Sequence, residues 1–379
     1  MSWTLAEHRT YLGDEGRLSA YRQALAAIVQ SGDVVLDLGT GTGVLGVLAV
    51  EAGAGRVYAV DATEMLGVAG AVVRGNGLDD KVTLVKGHSQ AVVLPEKADV
   101  VLADQLGPFG IEAGALGAYR DAVRRHLKPG GALIPARIDQ YMAPAQADAV
   151  WKDVTFWDEP SHGVDVTAIA THARNSRYFT TCAPDDLLAA PAQLSALDLA
   201  THDNAPIRGE LSWEVQRAGT LHGLAGWFSA ELAPGVSVSN GPLADPRLDR
   251  AHLFLPVAAP VDVEPGDRVV ANVHVVPPDE LARWTVTVRD REGNQKARSA
   301  HSTLDLSVLS REDLAITRPD HTPALGPRGE ARRTLLTLMD GKTPLRELED
   351  ALWERHREIF DSRDAAAAFV GRIVAREGS

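Results

Sequence analysis

The sequence predicts an α/β chain: a parallel-sheet domain, then an antiparallel β-barrel domain, then a small C-terminal helical module. Three observations carry that expectation. Over residues 1–140 short apolar runs alternate with helical stretches across short joints, the pattern of a parallel sheet covered on both faces. From about residue 141 the runs become short strands separated by Gly, Pro and Asp, as in an antiparallel barrel or sandwich. Beyond the prolines at 319, 323 and 327 the pattern is helical throughout.

Taken in order, residues 17–30 form a helix that lines Leu18, Tyr21, Leu25 and Ile28 on one face. "DVVLDLG" is a buried strand, "GVLGVLAVEAGA" a helix and "RVYAVD" the second strand. "EMLGVAGAVVRGNG" supplies another helix, followed by the strands "VTLVKG" and "ADVVLAD". "EAGALGAYRDAVRRHL" is helical, and "KPGGALIPARIDQYMAPA" turns into a strand that leaves the domain. The barrel domain, 141–318, is read from "RGELSWEVQRAG", "LHGLAGWFSAEL", "AHLFLPVAAPVDV", "DRVVANVHVV" and "RWTVTVRD". Its segment 155–200 is mixed helix and loop, with aromatics in "FWDEP" and "RYFTTCAP" suited to a partner surface. Residues 328–379 form the helical module, similar in outline to winged-helix or peptide-recognition modules, with acidic and basic residues balanced.

Bulk properties narrow the function. A net charge of -13 argues against a general nucleic-acid surface. One cysteine, Cys182, excludes an intramolecular disulfide and a Cys-based zinc cluster, and the scattered histidines give no metal-ligand set. The N-terminus is charged and amphipathic, unlike a signal peptide, and no run approaches eighteen apolar residues. A cytoplasmic protein without a membrane partner is expected.

"VLDLGTGTG" ends the first strand in Gly39, Gly41 and Gly43, and "YAVDA" ends the second in Asp61 and Ala62. Glycines let the backbone turn sharply and approach a ligand, while an acid at the second strand's end suits ribose hydroxyls. This Rossmann-like pattern fits a nicotinamide dinucleotide or S-adenosylmethionine. Asp37, just before the turn, either serves a cationic amino-acid moiety or holds the loop. The first role favours S-adenosylmethionine, because a pyrophosphate would be repelled there.

Several segments in order resemble protein arginine methyltransferases, a subset of the S-adenosylmethionine-dependent methyltransferases. They are "HRTYLGDEGRLSAYRQAL", "VVLDLGTGTGVLGVLAVEAGAGRVYAVDATEM", "NGLDDKVTLVKGHSQAVVLPEKADVVLAD" and "LKPGGALIP"; "WFSAELAPGVSVSNGP" and "VEPGDRVVANVHV" are similar to that family's barrel. The resemblance covers about residues 8–290 and implies S-adenosyl-L-methionine as cofactor. Arg17 would then grip the methionine carboxylate through a bidentate pair. Asp61 and Ala62 would lie at the ribose, Ser89 and Gln90 at the adenine. The resemblance also implies a homodimer, with 155–200 as its arm.

The acceptor half departs from the family. Two glutamates after the fourth strand would hold a guanidinium; here Asp104 takes the first place, and either Ala113 or Glu112 the second. A Thr-His-Trp signature is replaced by Arg247, Leu248 and Asp249, with His252 nearby as a candidate catalytic group. The aromatic lid is reduced to Trp3, His8 and Tyr11. The expected reaction is methyl transfer to an amine or guanidine nitrogen of a small molecule or peptide, arginine among them. O-methylation in a natural-product pathway and a non-catalytic scaffold are the alternatives.

Overall fold

A computed structural model describes residues 4–112, 114–202, 205–277, 281–306 and 320–377. The chain divides into two compact units, 1–307 and 308–379. Among the described residues no helix is long and apolar enough to cross a membrane.

The first unit opens with helices α1 (Leu5–Gly13) and α2 (Glu15–Ile28). Thr4 and Glu7 form a reciprocal capping box for α1. Asp14 caps α2 by accepting the Arg17 N–H at 2.8 Å. The buried face of α2 carries Arg17, Tyr21, Ala24 and Leu25, so a charged residue joins the predicted apolar stripe.

Five strands follow: β1 (Val34–Leu38), β2 (Arg56–Asp61), β3 (Val82–Lys86), β4 (Ala98–Ala103) and β5 (Leu127–Ile134). They pair in parallel in the order β3-β2-β1-β4-β5. All five β1 residues are buried, which explains why that strand reads as a continuous apolar run. Helices α3 (Val44–Glu51), α4 (Met65–Gly75) and α5 (Ala115–Arg125) make the crossovers. Strand order reverses between β1 and β4, so a crevice lies beyond the carboxyl ends of those two strands. Gly39 follows β1 there and Asp104 follows β4.

The remaining strands are β6 (Arg137–Ala145), β7 (Tyr178–Thr180), β8 (Ala192–Asp198), β9 (Ile207–Glu214), β10 (Gly219–Ala233), β11 (Val236–Ser239), β12 (His252–Val263), β13 (Arg268–Val276), β14 (Leu281–Arg289) and β15 (Gln295–Ser302). Their ladders are antiparallel. One sheet runs β7-β12-β10-β6-β8, with β11 on β10; the other runs β15-β14-β13-β9. Trp284 is fully buried and its indole N–H donates to the Pro256 carbonyl at 2.8 Å, joining β14 to β12. The 155–200 segment holds two short strands rather than only helix and loop: β7 pairs with β12, and β8 pairs with β6.

In the second unit, helices Pro327–Leu338, Leu345–His356 and Arg363–Glu377 enclose a separate core of Ala331, Leu335, Leu348, Leu352 and Val370.

Candidate active site

The predicted donor residues line up along adjacent strand ends. The glycine turn follows β1, Asp61 closes β2 and Ser89–Gln90 follow β3. Gly39, Gly41 and Gly43 have φ of 68°, 54° and 79°, a left-handed region that favours glycine. A Cβ on Gly39 would stand 2.2 Å from Gln105 Nε2, and one on Gly41 would stand 2.6 Å from His8 Cε1. The turn is therefore bare backbone walled by two polar side chains.

Asp61 fixes this turn to its neighbours. One carboxylate oxygen accepts the Gly41 N–H at 2.9 Å, and the other accepts the Thr63 N–H and hydroxyl, both at 2.7 Å. Asp37 lies behind the turn, 1% exposed, and accepts the Thr40 hydroxyl at 2.5 Å. Burial pushes its carboxyl up to about 7. Of the two roles open to Asp37, the geometry has it holding the loop.

Ala62 is exposed beside Asp61. The Ser89–Gln90 turn is held through its backbone: Arg125 donates to the Ser89 carbonyl at 2.9 Å and to that of Val92 at 2.7 Å. The Gln90 side chain is exposed.

Asp104 is the centre of the other half. Arg17 Nε donates to its Oδ2 at 2.5 Å, and a second Arg17 nitrogen makes a close ion pair with the same oxygen. Arg250 Nη2 donates to both oxygens, at 3.0 and 3.1 Å. The Tyr21 hydroxyl donates to Oδ1 at 3.1 Å. Side-chain exposures are 7% for Arg17, 9% for Asp104 and 11% for Arg250. Tyr11 lies against both cations, its ring centroid 6.0 Å from the Arg17 guanidinium carbon and 5.5 Å from that of Arg250.

Glu112 does not join Asp104 as an open second acid. Its carboxylate turns back on its own loop and accepts the Phe109 N–H at 3.0 and 3.1 Å and the Ile111 N–H at 3.1 Å. Burial raises its carboxyl above the ordinary range, although these backbone donors oppose the shift. The competing position, Ala113, lies outside the described residues, as does Trp3.

The expectation that His252 serves as an acid or base is corrected by its surroundings. It is fully buried in β12; Nδ1 accepts the Cys182 N–H at 3.0 Å and Nε2 donates to the Asn240 carbonyl at 2.5 Å. Both ring nitrogens are spent on backbone, and burial lowers the ring's affinity for a second proton. Of the substituted triplet, Leu248 is buried, Arg247 donates to the Cys182 carbonyl at 3.4 Å, and the Asp249 N–H donates to Asp14 Oδ2 at 3.3 Å.

Residues that sequence reasoning did not single out complete the acceptor side. Arg250 stands one position beyond the substituted triplet, and Tyr21 reads simply as a helix core residue. Asn240 and Gln140 are fully buried and pin the 107–112 loop, donating to the Pro108 and Phe109 carbonyls at 2.9 Å each.

Residues 20–152 match the family described as ribosomal protein L11 methyltransferase, and residues 138–287 match the arginine methyltransferase oligomerization subdomain. Protein arginine N-methyltransferase 6 of Xenopus tropicalis is 30% identical over 287 residues, covering 72% of this chain and 84% of that protein. Human protein arginine N-methyltransferase 2 is 31% identical over 322 residues, 77% of this chain and 73% of its own length. The crystal structure of Arabidopsis thaliana protein arginine methyltransferase 10 shares the fold, with a TM-score of 0.68 and 22% identity over 79% of this chain and 98% of that one. A Trypanosoma brucei arginine methyltransferase enzyme–prozyme complex with S-adenosylhomocysteine superposes with the same TM-score at 20% identity, over 78% of this chain and 97% of that one. With its donor turn, its acid after β4 and relatives at this level over most of its length, the chain belongs to the protein arginine N-methyltransferases, an S-adenosylmethionine-dependent methyltransferase family.

Proposed function

We propose that this protein methylates a guanidinium nitrogen of arginine in a peptide or protein, with Asp104 receiving the acceptor. The observation that carries the reading is that Asp104 already binds a guanidinium, that of Arg250, through both carboxylate oxygens. Both contacts come from one nitrogen, Nη2, and a buried carboxylate with two acceptor oxygens suits the several N–H donors of a guanidine better than a hydroxyl.

The cofactor supplies an electrophilic methyl group when bound. The residues present fit it: the bare glycine turn offers backbone, Asp61 offers a carboxylate at the ribose place, and Arg17 offers a guanidinium for the amino-acid carboxylate. Asp104 would orient the acceptor nitrogen, stabilise the charge that builds on it and accept the proton it gives up on taking the methyl group. Tyr119 steadies that acid's backbone, its hydroxyl donating to the Ala103 carbonyl at 3.3 Å. Tyr11 covers the cations and limits water.

The chain is further proposed to act as a homodimer through the segment after β6. Phe156, Val164, Ile169 and Phe179 are exposed there, at 55%, 60%, 38% and 49%, an apolar set that favours burial against a second copy. The match to the oligomerization subdomain spans this segment.

The catalytic reading is tested with acetyl-Gly-Arg-Gly-amide, its Lys and Ser counterparts and free arginine, each incubated with S-adenosylmethionine and mapped by fragment mass spectrometry. Methyl on the guanidine nitrogen is expected. Methylation of the Lys or Ser peptide with the Arg peptide untouched would overturn it.

A further inference from the structure

The four lone-pair positions of the Asp104 carboxylate are fully subscribed from within the chain. Arg17 takes Oδ2, Tyr21 takes Oδ1 and Arg250 Nη2 reaches both. A carboxylate accepts roughly four hydrogen bonds, so an incoming guanidinium has no vacant acceptor unless a resident donor leaves. Arg17 and Tyr21 both sit on the buried face of α2. Arg250 comes instead from the irregular stretch before β12, where its backbone N–H donates only locally, to the Leu248 carbonyl at 2.8 Å. Of the three donors it is the one whose departure leaves a helix intact.

We propose that Arg250 is the specificity-determining residue of the acceptor site: its guanidinium fills the subsite on Asp104 and has to be displaced by the substrate's. This rests on the reading that Asp104 receives the acceptor. A tethered group competes at an effective concentration of about millimolar, so Arg250 sets an affinity threshold. A ligand whose whole contribution is one cation fails to clear it. A guanidinium on a peptide that also makes contacts outside the clamp does clear it. The substrate class is therefore a peptide-borne arginine rather than free arginine or a simple amine. Displacement needs no covalent change. The Arg250 side chain leaves Asp104 for solvent as the substrate fork replaces it with like charge.

The test measures binding of acetyl-Gly-Arg-Gly-amide by calorimetry in saturating S-adenosylhomocysteine, for the wild type and for R250Q, R250K and D104N. Thermal melting is followed for each variant. Removing the tethered competitor in R250Q is expected to tighten peptide binding by about tenfold or more. R250K keeps the charge without the planar fork and is expected to fall between R250Q and wild type; it decides the matter if R250Q does not fold. Peptide affinity that is unchanged or weakened in both Arg250 variants, while D104N abolishes it, would overturn the displacement and leave the clamp standing. Unchanged affinity in D104N would overturn the clamp itself.

Discussion

Replacing Asn240 by Ala separates the acceptor loop from the sheet that holds it. Asn240 is fully buried; its Oδ1 accepts the Phe228 N–H at 3.0 Å, and its Nδ2 donates to the Pro108 and Ala251 carbonyls at 2.9 and 2.8 Å. Alanine leaves one buried N–H and two carbonyls without these partners. A buried group left unsatisfied costs about 1–3 kcal/mol, and carbonyls tolerate under-satisfaction better than N–H groups. Taking the low end for both carbonyls gives a destabilisation of about 3–5 kcal/mol, near the upper range for one substitution. Urea unfolding followed by circular dichroism measures it. The functional consequence is separate: Pro108 belongs to the loop that follows Asp104, so turnover is expected to fall by about a hundredfold for a misplacement near 1 Å, with donor affinity retained. N240D retains the acceptor for Phe228 but loses both donations and sets an anion against two carbonyls, so it is expected to be no better. A loss below about 1 kcal/mol in either variant, relative to the unsatisfied-group cost, would refute this reasoning.

Asp61→Ala is expected to weaken S-adenosylhomocysteine binding by about 1.5–3 kcal/mol through lost charge-assisted bonds; unchanged calorimetric affinity in a folded variant would remove Asp61 from the donor site. Asp37 has a folded-state carboxyl raised to about 7 from an ordinary 3.8. The native state therefore holds a proton that the unfolded chain releases, and stability should decline as pH rises from 4 to 7. D37N should flatten that part of the urea-midpoint profile, and an unaltered slope would show that other groups produce it. Substituting Phe156 and Phe179 together by Ser is expected to give monomers in analytical ultracentrifugation; a wild type that is monomeric at every concentration would end the dimer proposal.

The glycine turn and the acid beside it were legible because their requirements are local. Positive φ at Gly39, Gly41 and Gly43 needs glycine, and an acid at the end of β2 sits one strand away from that turn. Both facts survive in short stretches of sequence. Parallel strands buried on both faces announced themselves as apolar runs, whereas β15, "QKARSAHS", has one buried residue in eight and carried no such signal. The boundary between sheets was blurred for a similar reason: β5 and β6 are separated only by Pro135 and Ala136, so "KPGGALIPARIDQYMAPA" reads as one strand.

The half around Asp104 was hard to read because its polar residues answer to partners that spacing does not reveal. His252 looked catalytic by type and place, yet it links Cys182 to Asn240, residues separated from it by 70 and 12 positions. Glu112 looked like a clamp by spacing, yet its oxygens accept the Phe109 and Ile111 N–H groups of its own tight loop. Asp104 kept the expected place and gained a partner, Arg250, from 146 residues away. Most buried carboxylates and imidazoles find a match for their donors and acceptors. In this chain that rule accounts for His252 and Glu112 entirely through backbone groups. Of these three, Asp104 is the one matched by side chains, two of them cations. Asp104 lies between the two guanidiniums, and Asp14 adds a second negative charge that acts on Arg17. A donor carboxylate at Arg17 would share that cation with Asp104, so the proposed acceptor clamp is tied to the donor side through Arg17, a residue of α2.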